Sequence, residues 1–324
     1  MRYGYYPGCS LSHSAKPYDQ SIQAIKEPLD IELTEIEDWN CCGATEYVAL
    51  NKTAAYALVG RNLALGAQEG FETLVAPCSA CYLNLKKADH YMGKYKELDK
   101  KTNQALAAGG LSYKPGSLEV RHMLDIVVND VGYDKVREHV TKPLEGLKVA
   151  PYYGCLIVRP EFEKFFDDPE FPTHLDTLME ALGAEVVDFS MKTHCCGGHM
   201  PQISAETAYS LIYGILNEAQ EKGADLLVTI CPMCQLNLDA YQAQVNKQYK
   251  TNFNLPILYF TQMMGLAFGV SEEELGLGKE FIQAAPVLKK IGTAVEEAPE
   301  KPQRRKRDDK SLPMPHKKVE VKHG

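Results

Sequence analysis

The sequence predicts an α/β protein of two similar, pseudo-twofold-related halves, each a small parallel sheet flanked by helices, followed by a disordered C-terminal tail. Three observations predict it. The 324 residues, 45% hydrophobic and 24% charged, suit a globular chain of about two domains. Three cysteine-bearing elements recur in the same order, 146 to 154 positions apart, which marks an internal duplication. Within each copy, short β-rich runs alternate with helical patterns, and that rhythm implies parallel sheets joined by crossovers.

The elements follow in order. Runs over Arg2 to Tyr6, Ile31 to Ile36 and Thr73 to Ala76 precede the cysteine elements of the first half. Lys148 to Tyr153, Glu185 to Phe189 and Leu226 to Ile230 do so in the second. Between Tyr47 and Gly70, apolar residues recur at helical spacing, with Gly66 and Gly70 as terminators; Ser204 to Gly223 is the counterpart. Leu98 to Gly146 lacks cysteine, is broken by Gly109-Gly110 and Pro115-Gly116, and carries an amphipathic run from Leu118 to Val131, so a helical connection is expected there. The predicted boundaries are a first domain over 1–110, a connection over 111–146, a second domain over 147–275 and a tail over 276–324. In that tail Pro299, Pro302, Pro313 and Pro315 with Arg304-Arg305-Lys306-Arg307 leave no apolar periodicity, so disorder and a solvated basic surface are expected.

Net charge is −8, but residues 296–324 hold nine basic and six acidic residues, so an acidic body carries a short basic tail. Nucleic acid is not expected as a partner. The N-terminus meets Pro7 and Gly8 before an apolar signal region can develop, and Leu255 to Val270 is too short to span a bilayer. A cytoplasmic location without a membrane span is expected, and there thiols stay reduced. The cysteines are therefore read as metal ligands or redox groups before disulfides.

All ten cysteines belong to the repeat. Cys9, Cys41-Cys42-Gly43 and Cys78-x-x-Cys81 are echoed by Cys155, Cys195-Cys196-Gly197 and Cys231-x-x-Cys234. One Cys-x-x-Cys is weak evidence; two five-cysteine sets in one order are strong. Each set follows strands, so it belongs in loops at the carboxyl edge of a parallel sheet. Helix N-termini face the same edge and suit an anionic centre. Five thiolates exceed the four of structural zinc or a cubane cluster. Adjacent cysteines in a turn can reach different irons of one cluster, and the following glycine allows close approach of the backbone.

At these residues the sequence resembles the CCG-domain B subunit of heterodisulfide reductase and of heterodisulfide reductase-like complexes. Tyr6-Pro7-Gly8-Cys9-Ser10-Leu11-Ser12 and Asp38-Trp39-Asn40-Cys41-Cys42-Gly43 carry the resemblance with the paired cysteine sets, over about Met1 to Gly269. It implies two noncubane 4Fe-4S clusters, one held by Cys9, Cys41, Cys42, Cys78 and Cys81, the other by Cys155, Cys195, Cys196, Cys231 and Cys234. It also implies an oxidoreductase that cleaves or forms a disulfide between the clusters. The implied partners are a ferredoxin-like C subunit, which carries cubane clusters, together with a flavin-containing A subunit; the implied substrate is a disulfide or thiol.

Disulfide reduction needs two electrons and two protons. His194 and His199 bracket the second Cys-Cys-Gly and are the candidate proton donors, although a bond to cluster sulfur or a structural contact would also place histidine there. The matching first-half positions are Asn40 and Thr45, so the halves are not chemically identical. No dinucleotide, P-loop, serine-hydrolase or zinc-protease motif occurs, so electrons are expected from partner proteins. Lys86-Lys87 and Lys94 are a candidate docking face, or simply exposed helix lysines. Two other functions fit parts of the pattern. An electron-relay component of a glycolate- or lactate-oxidase-like complex would use the same elements without its own substrate. Zinc in one half would explain four cysteines of the five.

Overall fold

Among the described residues, short apolar runs become eight strands in two sheets of identical topology. The computed structural model describes residues 1–44, 47–158 and 167–293. In the first sheet β1 (Arg2–Tyr5), β2 (Glu32–Glu35), β3 (Thr73–Ala76) and β4 (Glu119–His122) lie in the order β2-β1-β3-β4. In the second, β5 (Lys148–Tyr152), β6 (Glu185–Val186), β7 (Leu226–Thr229) and β8 (Ile257–Tyr259) lie in the order β6-β5-β7-β8. Every pairing is parallel. Parallel neighbours require crossovers, and helices supply them.

This order positions the site. From β1 the chain steps to one neighbour, β2, and then returns to the other side at β3; β5, β6 and β7 repeat the move. Open α/β sheets place crevices beyond the carboxyl ends of strands at such a reversal. Cys9 and Cys78 follow β1 and β3, while Cys155 and Cys231 follow β5 and β7.

The helix Lys52–Gln68 starts at Asn51, whose side chain accepts from the Ala54 N–H. Gly66 lies inside this helix rather than ending it: a Cβ there would stand 3.1 Å from the Leu118 side chain, so the glycine permits close packing. Termination falls to Gly70, at φ +80°. The counterpart helix, Ala205–Glu221, follows Ser204 and stops before Gly223.

Two expectations are corrected. The segment 111–146 is not wholly helical, because β4 lies within it and pairs with β3, extending the first sheet to His122. Val120 and His122 are buried and Glu119 exposed, a strand period that overrides the helical reading of the run's first part; from Met123 the run is helical, as an α-turn over Met123–Asp125 and a π-helix over Ile126–Val131. The tail does not begin at Gly276. The Phe281 and Ile282 N–H groups donate to the Asp239 carboxylate at 2.9 Å, and the helix Ala285–Leu288 follows them. Residues 294–324, with the basic run, lie outside the described residues.

A continuous apolar core joins both sheets, and Met1–Thr293 forms one compact unit. The helix Lys16–Lys26 of the first half meets Phe260–Phe268 of the second, where Ser21 Oγ and Thr261 Oγ1 lie 2.6 Å apart. The apolar stretch from Leu255 is β8 and this buried helix. No helix among the described residues is long and apolar enough to cross a membrane.

Candidate metal centre

The ten thiols form a continuous string that reads the same from either end. Cys9 Sγ lies 3.7 Å from Cys41 Sγ, and Cys42 Sγ lies 3.3 Å from Cys81 Sγ. Cys41 neighbours Cys42, and Cys81 neighbours Cys78. Cys78 then meets Cys231 of the other half. From there the string runs through Cys234, Cys196 and Cys195 to Cys155, mirroring the first five. No disulfide joins them among the described residues.

The surrounding scaffold is also duplicated. Tyr6 donates its hydroxyl to the Asn40 carbonyl at 2.7 Å and Tyr152 donates to the His194 carbonyl at 2.6 Å, so each tyrosine pins the residue before a Cys-Cys-Gly. Gly8 and Gly154 both sit at φ +70°, and a Cβ on either would stand about 3 Å from the Cys81 or Cys234 sulfur. Asn84 donates to the Cys42 carbonyl at 3.1 Å. Asn237 donates to the Cys196 carbonyl at 3.1 Å and the Gly198 carbonyl at 2.8 Å. Both asparagines lie three residues beyond a Cys-x-x-Cys; the repeated Leu-Asn-Leu is their signal in the sequence, but only the fold brings them to the Cys-Cys-Gly loops.

The shared protons explain how the thiols titrate. Hydrogen bonds shared with Cys41 and Cys81 hold Cys42 well below the ordinary thiol range, and those shared with Cys234 and Cys78 do the same for Cys231. Their neighbours are pushed up: Cys41 and Cys81 through Cys42, Cys78 through Cys231, Cys155 through Cys195 and Cys234 through Cys196. Cys196 rises to about 12, mainly through Cys195. Like charges this close cannot all ionise without a cation among them.

The donors fit a polynuclear iron–sulfur group better than a single ion. Thiolates are the ligands such clusters use, five are available in each half, and the two glycine cradles keep Cβ atoms away from the sulfurs. Among the described residues, no three His, Cys, Asp or Glu side chains converge in the geometry of one metal ion.

Exposure separates the halves. Cys9 and Cys41 are exposed, Cys155 and Cys195 half-buried, and the other six buried. A crevice of about 360 Å³ is lined by all five second-half thiols, whereas its opposite wall is one face of the helix Ser79–Lys94, through Ser79, Ala80, Leu83, Asn84 and Lys87. His199 lines this crevice and its Nε2 lies 2.9 Å from the Ala44 carbonyl oxygen of the first half. His194 is exposed and does not line it. Of the three lysines, Lys86 lies over the Tyr82 ring, Lys94 lies over the Tyr95 ring, and Lys87 lines the crevice.

Both halves match the model of the CCG cysteine-rich domain, over residues 3–86 and 149–239. The chain belongs to the CCG cysteine-rich domain family. Two relatives are matched by this CCG protein over nearly their whole length. It is 38% identical over 286 residues to the 8-methylmenaquinol:fumarate reductase membrane anchor subunit of Wolinella succinogenes, covering 87% of this chain and 97% of that one. It is 32% identical over 289 residues to the B subunit of the ferredoxin/F420H2-dependent CoB-CoM heterodisulfide reductase of Methanosarcina acetivorans, covering 88% and 95%. A hypothetical protein from Helicobacter pylori has a similar fold, with TM-score 0.67 at 14% identity over 87% of this CCG chain and 52% of its own.

Proposed function

We propose that this CCG protein is the iron–sulfur B subunit of a cytoplasmic heterodisulfide reductase-like oxidoreductase, and that it reduces or forms a disulfide in the crevice between its halves. Cys9, Cys41, Cys42, Cys78 and Cys81 would hold one noncubane 4Fe-4S cluster. Cys155, Cys195, Cys196, Cys231 and Cys234 would hold the other. One observation carries the reading: all five second-half thiols, His199 and Lys87 share one crevice whose far wall comes from the first half.

Bound clusters would supply one-electron redox chemistry. Reducing a disulfide consumes two electrons and two protons and releases two thiols. The chain must therefore seat the S–S bond, exclude water and deliver protons. Ala80, Leu83, Leu156 and Met233 make much of the lining apolar. The Ala44 carbonyl can only accept, so His199 Nε2 carries its proton there, and Nδ1 is the nitrogen left to bring a second proton to the reacting sulfur. The Lys87 ammonium gives the crevice a positive end suited to an anionic group on the substrate. A ferredoxin-like C subunit, together with a flavin-containing A subunit, would exchange electrons with this one.

A second reading is prompted by the Wolinella relative, a subunit of a reductase whose named reactants, a menaquinol and fumarate, are not sulfur compounds. In that reading the chain relays electrons between partners and binds no substrate of its own. Anaerobic iron, sulfide and zinc analysis with EPR, with and without added thiol, separates the cases. About eight irons and a thiol-dependent oxidised signal are expected. A cluster signal indifferent to thiols selects the relay, and stoichiometric zinc with little iron rejects both.

A further inference from the structure

Two backbone carbonyls, one from each half, converge at the pseudo-twofold axis. Pro77 and Ile230 each stand one residue before a Cys-x-x-Cys, and the thiols that follow them, Cys78 and Cys231, are the pair through which the two sulfur sets meet. The Tyr18 hydroxyl lies 3.3 Å from the Pro77 carbonyl oxygen and 3.2 Å from that of Ile230. Its ring is fully buried and stacks on Tyr259 with centroids 4.2 Å apart and planes 1° from parallel. The hydroxyl is held in place, yet it has one proton for two acceptors.

A second donor stands nearby. His122 ends β4 where Tyr259 ends β8, and it is fully buried. The Leu124 N–H donates to His122 Nδ1 at 3.1 Å, which leaves the proton of the neutral ring on Nε2. Full burial disfavours a charged imidazole, and the Pro77 and Ile230 carbonyls stand close to the ring. Among the described residues the buried Nε2 makes no hydrogen bond of normal geometry. An orphaned buried donor is costly, and two acceptors short of one proton lie beside it.

We propose that Tyr18 and His122 are positioning residues: their O–H and Nε2–H groups together clamp the Pro77 and Ile230 carbonyls and so fix the coupling between the redox centres of the two halves. The inference rests on the reading that each half holds a cluster. One donor from the helix Lys16–Lys26 and one from the end of β4 then act on both Cys-x-x-Cys loops, which move as a single body. An unclamped axis would let each loop relax with its own half.

Tyr18→Phe keeps the stacked ring and removes the hydroxyl. His122→Asn keeps a side-chain acceptor for the Leu124 N–H and removes Nε2–H. Both are prepared anaerobically as the full chain and compared with the parent by iron content, EPR of the fully reduced protein and redox titration. The expected result is parent-level iron with altered spin–spin splitting between the centres. Their potentials should shift by up to about tenfold in the distribution of an electron between them, about 59 mV for a one-electron couple. The double variant should be non-additive, because both donors serve one clamp. Unchanged splitting and potentials at full iron overturn the clamp, even if thermal stability falls; should Tyr18→Phe not fold, His122→Asn decides alone. A parent that lacks two clusters overturns instead the reading on which the clamp rests.

Discussion

The two halves share a scaffold and differ in what they present to the outside. Tyr6 and Tyr152, Gly8 and Gly154, and Asn84 and Asn237 do the same work at equivalent places. The crevice breaks the symmetry: the second half lines it with its five thiols and His199, while the first contributes a helix face and leaves Cys9 and Cys41 exposed. Duplication has preserved the hydrogen bonds that shape the ligand loops and released the surfaces around them. If the proposed function holds, the second half would present most of the groups that meet substrate, and the first, with two thiols at its surface, would be the side open to an electron partner.

The largest test removes one ligand from each half. Cys42→Ala and Cys196→Ala should each lose about half of about eight irons. Only Cys196→Ala should abolish the thiol-dependent EPR signal; equal loss in both variants would erase the division of labour. Next in size are the histidines. His199→Ala should slow disulfide reduction by on the order of 100-fold at unchanged iron, and His194→Ala should leave the rate within about twofold. An unaffected rate in His199→Ala removes its proton role.

The asparagines compare the scaffolds themselves. Asn237 serves two carbonyls and is buried, whereas Asn84 serves one and is half-buried. Replacing Asn237 by Ala should cost about 2 kcal/mol and Asn84 about 1 kcal/mol, read as a larger fall in Tm for the former. The smallest effect concerns the segment after Gly276, which has no first-half counterpart. Burial raises the pKa of Glu280. The folded state therefore favours its protonated form, and that stabilising contribution is complete below the unfolded pKa and lost as pH rises through the higher folded value. Glu280→Gln should raise Tm slightly at pH 8 and leave it unchanged near pH 4, about the ordinary glutamate pKa. An equal shift at both pH values would show that charge is not the cause.

Much of this architecture is legible in the sequence because the cysteine elements mark the ends of strands. The six strands that precede a cysteine fall within a few residues of the β-rich runs; β4 and β8 escape because they lead into His122 and Tyr259, which share no motif. Gly66 misleads for a different reason, since its value lies in a tertiary contact with Leu118 that no local pattern reveals. His194 and His199 flank the second Cys-Cys-Gly alike in sequence. Gly197 and Gly198, at φ +94° and +54°, turn the chain between them, and of the two only His199 lines the crevice. The tyrosine and asparagine anchors are visible as repeated letters, but their roles depend on loops that meet only after folding.

The bond between Tyr18 and Ile230 spans 212 positions. Contacts of such separation close late, because the intervening chain must first be ordered. On a ribosome Tyr18 emerges long before the tyrosine that stacks on it, which follows only with the last strand of the second sheet. The first five thiols can gather while the second half is still being made, but the axis cannot. Its closure therefore waits for the last strand of the second sheet, and a product truncated before Tyr259 would lack it.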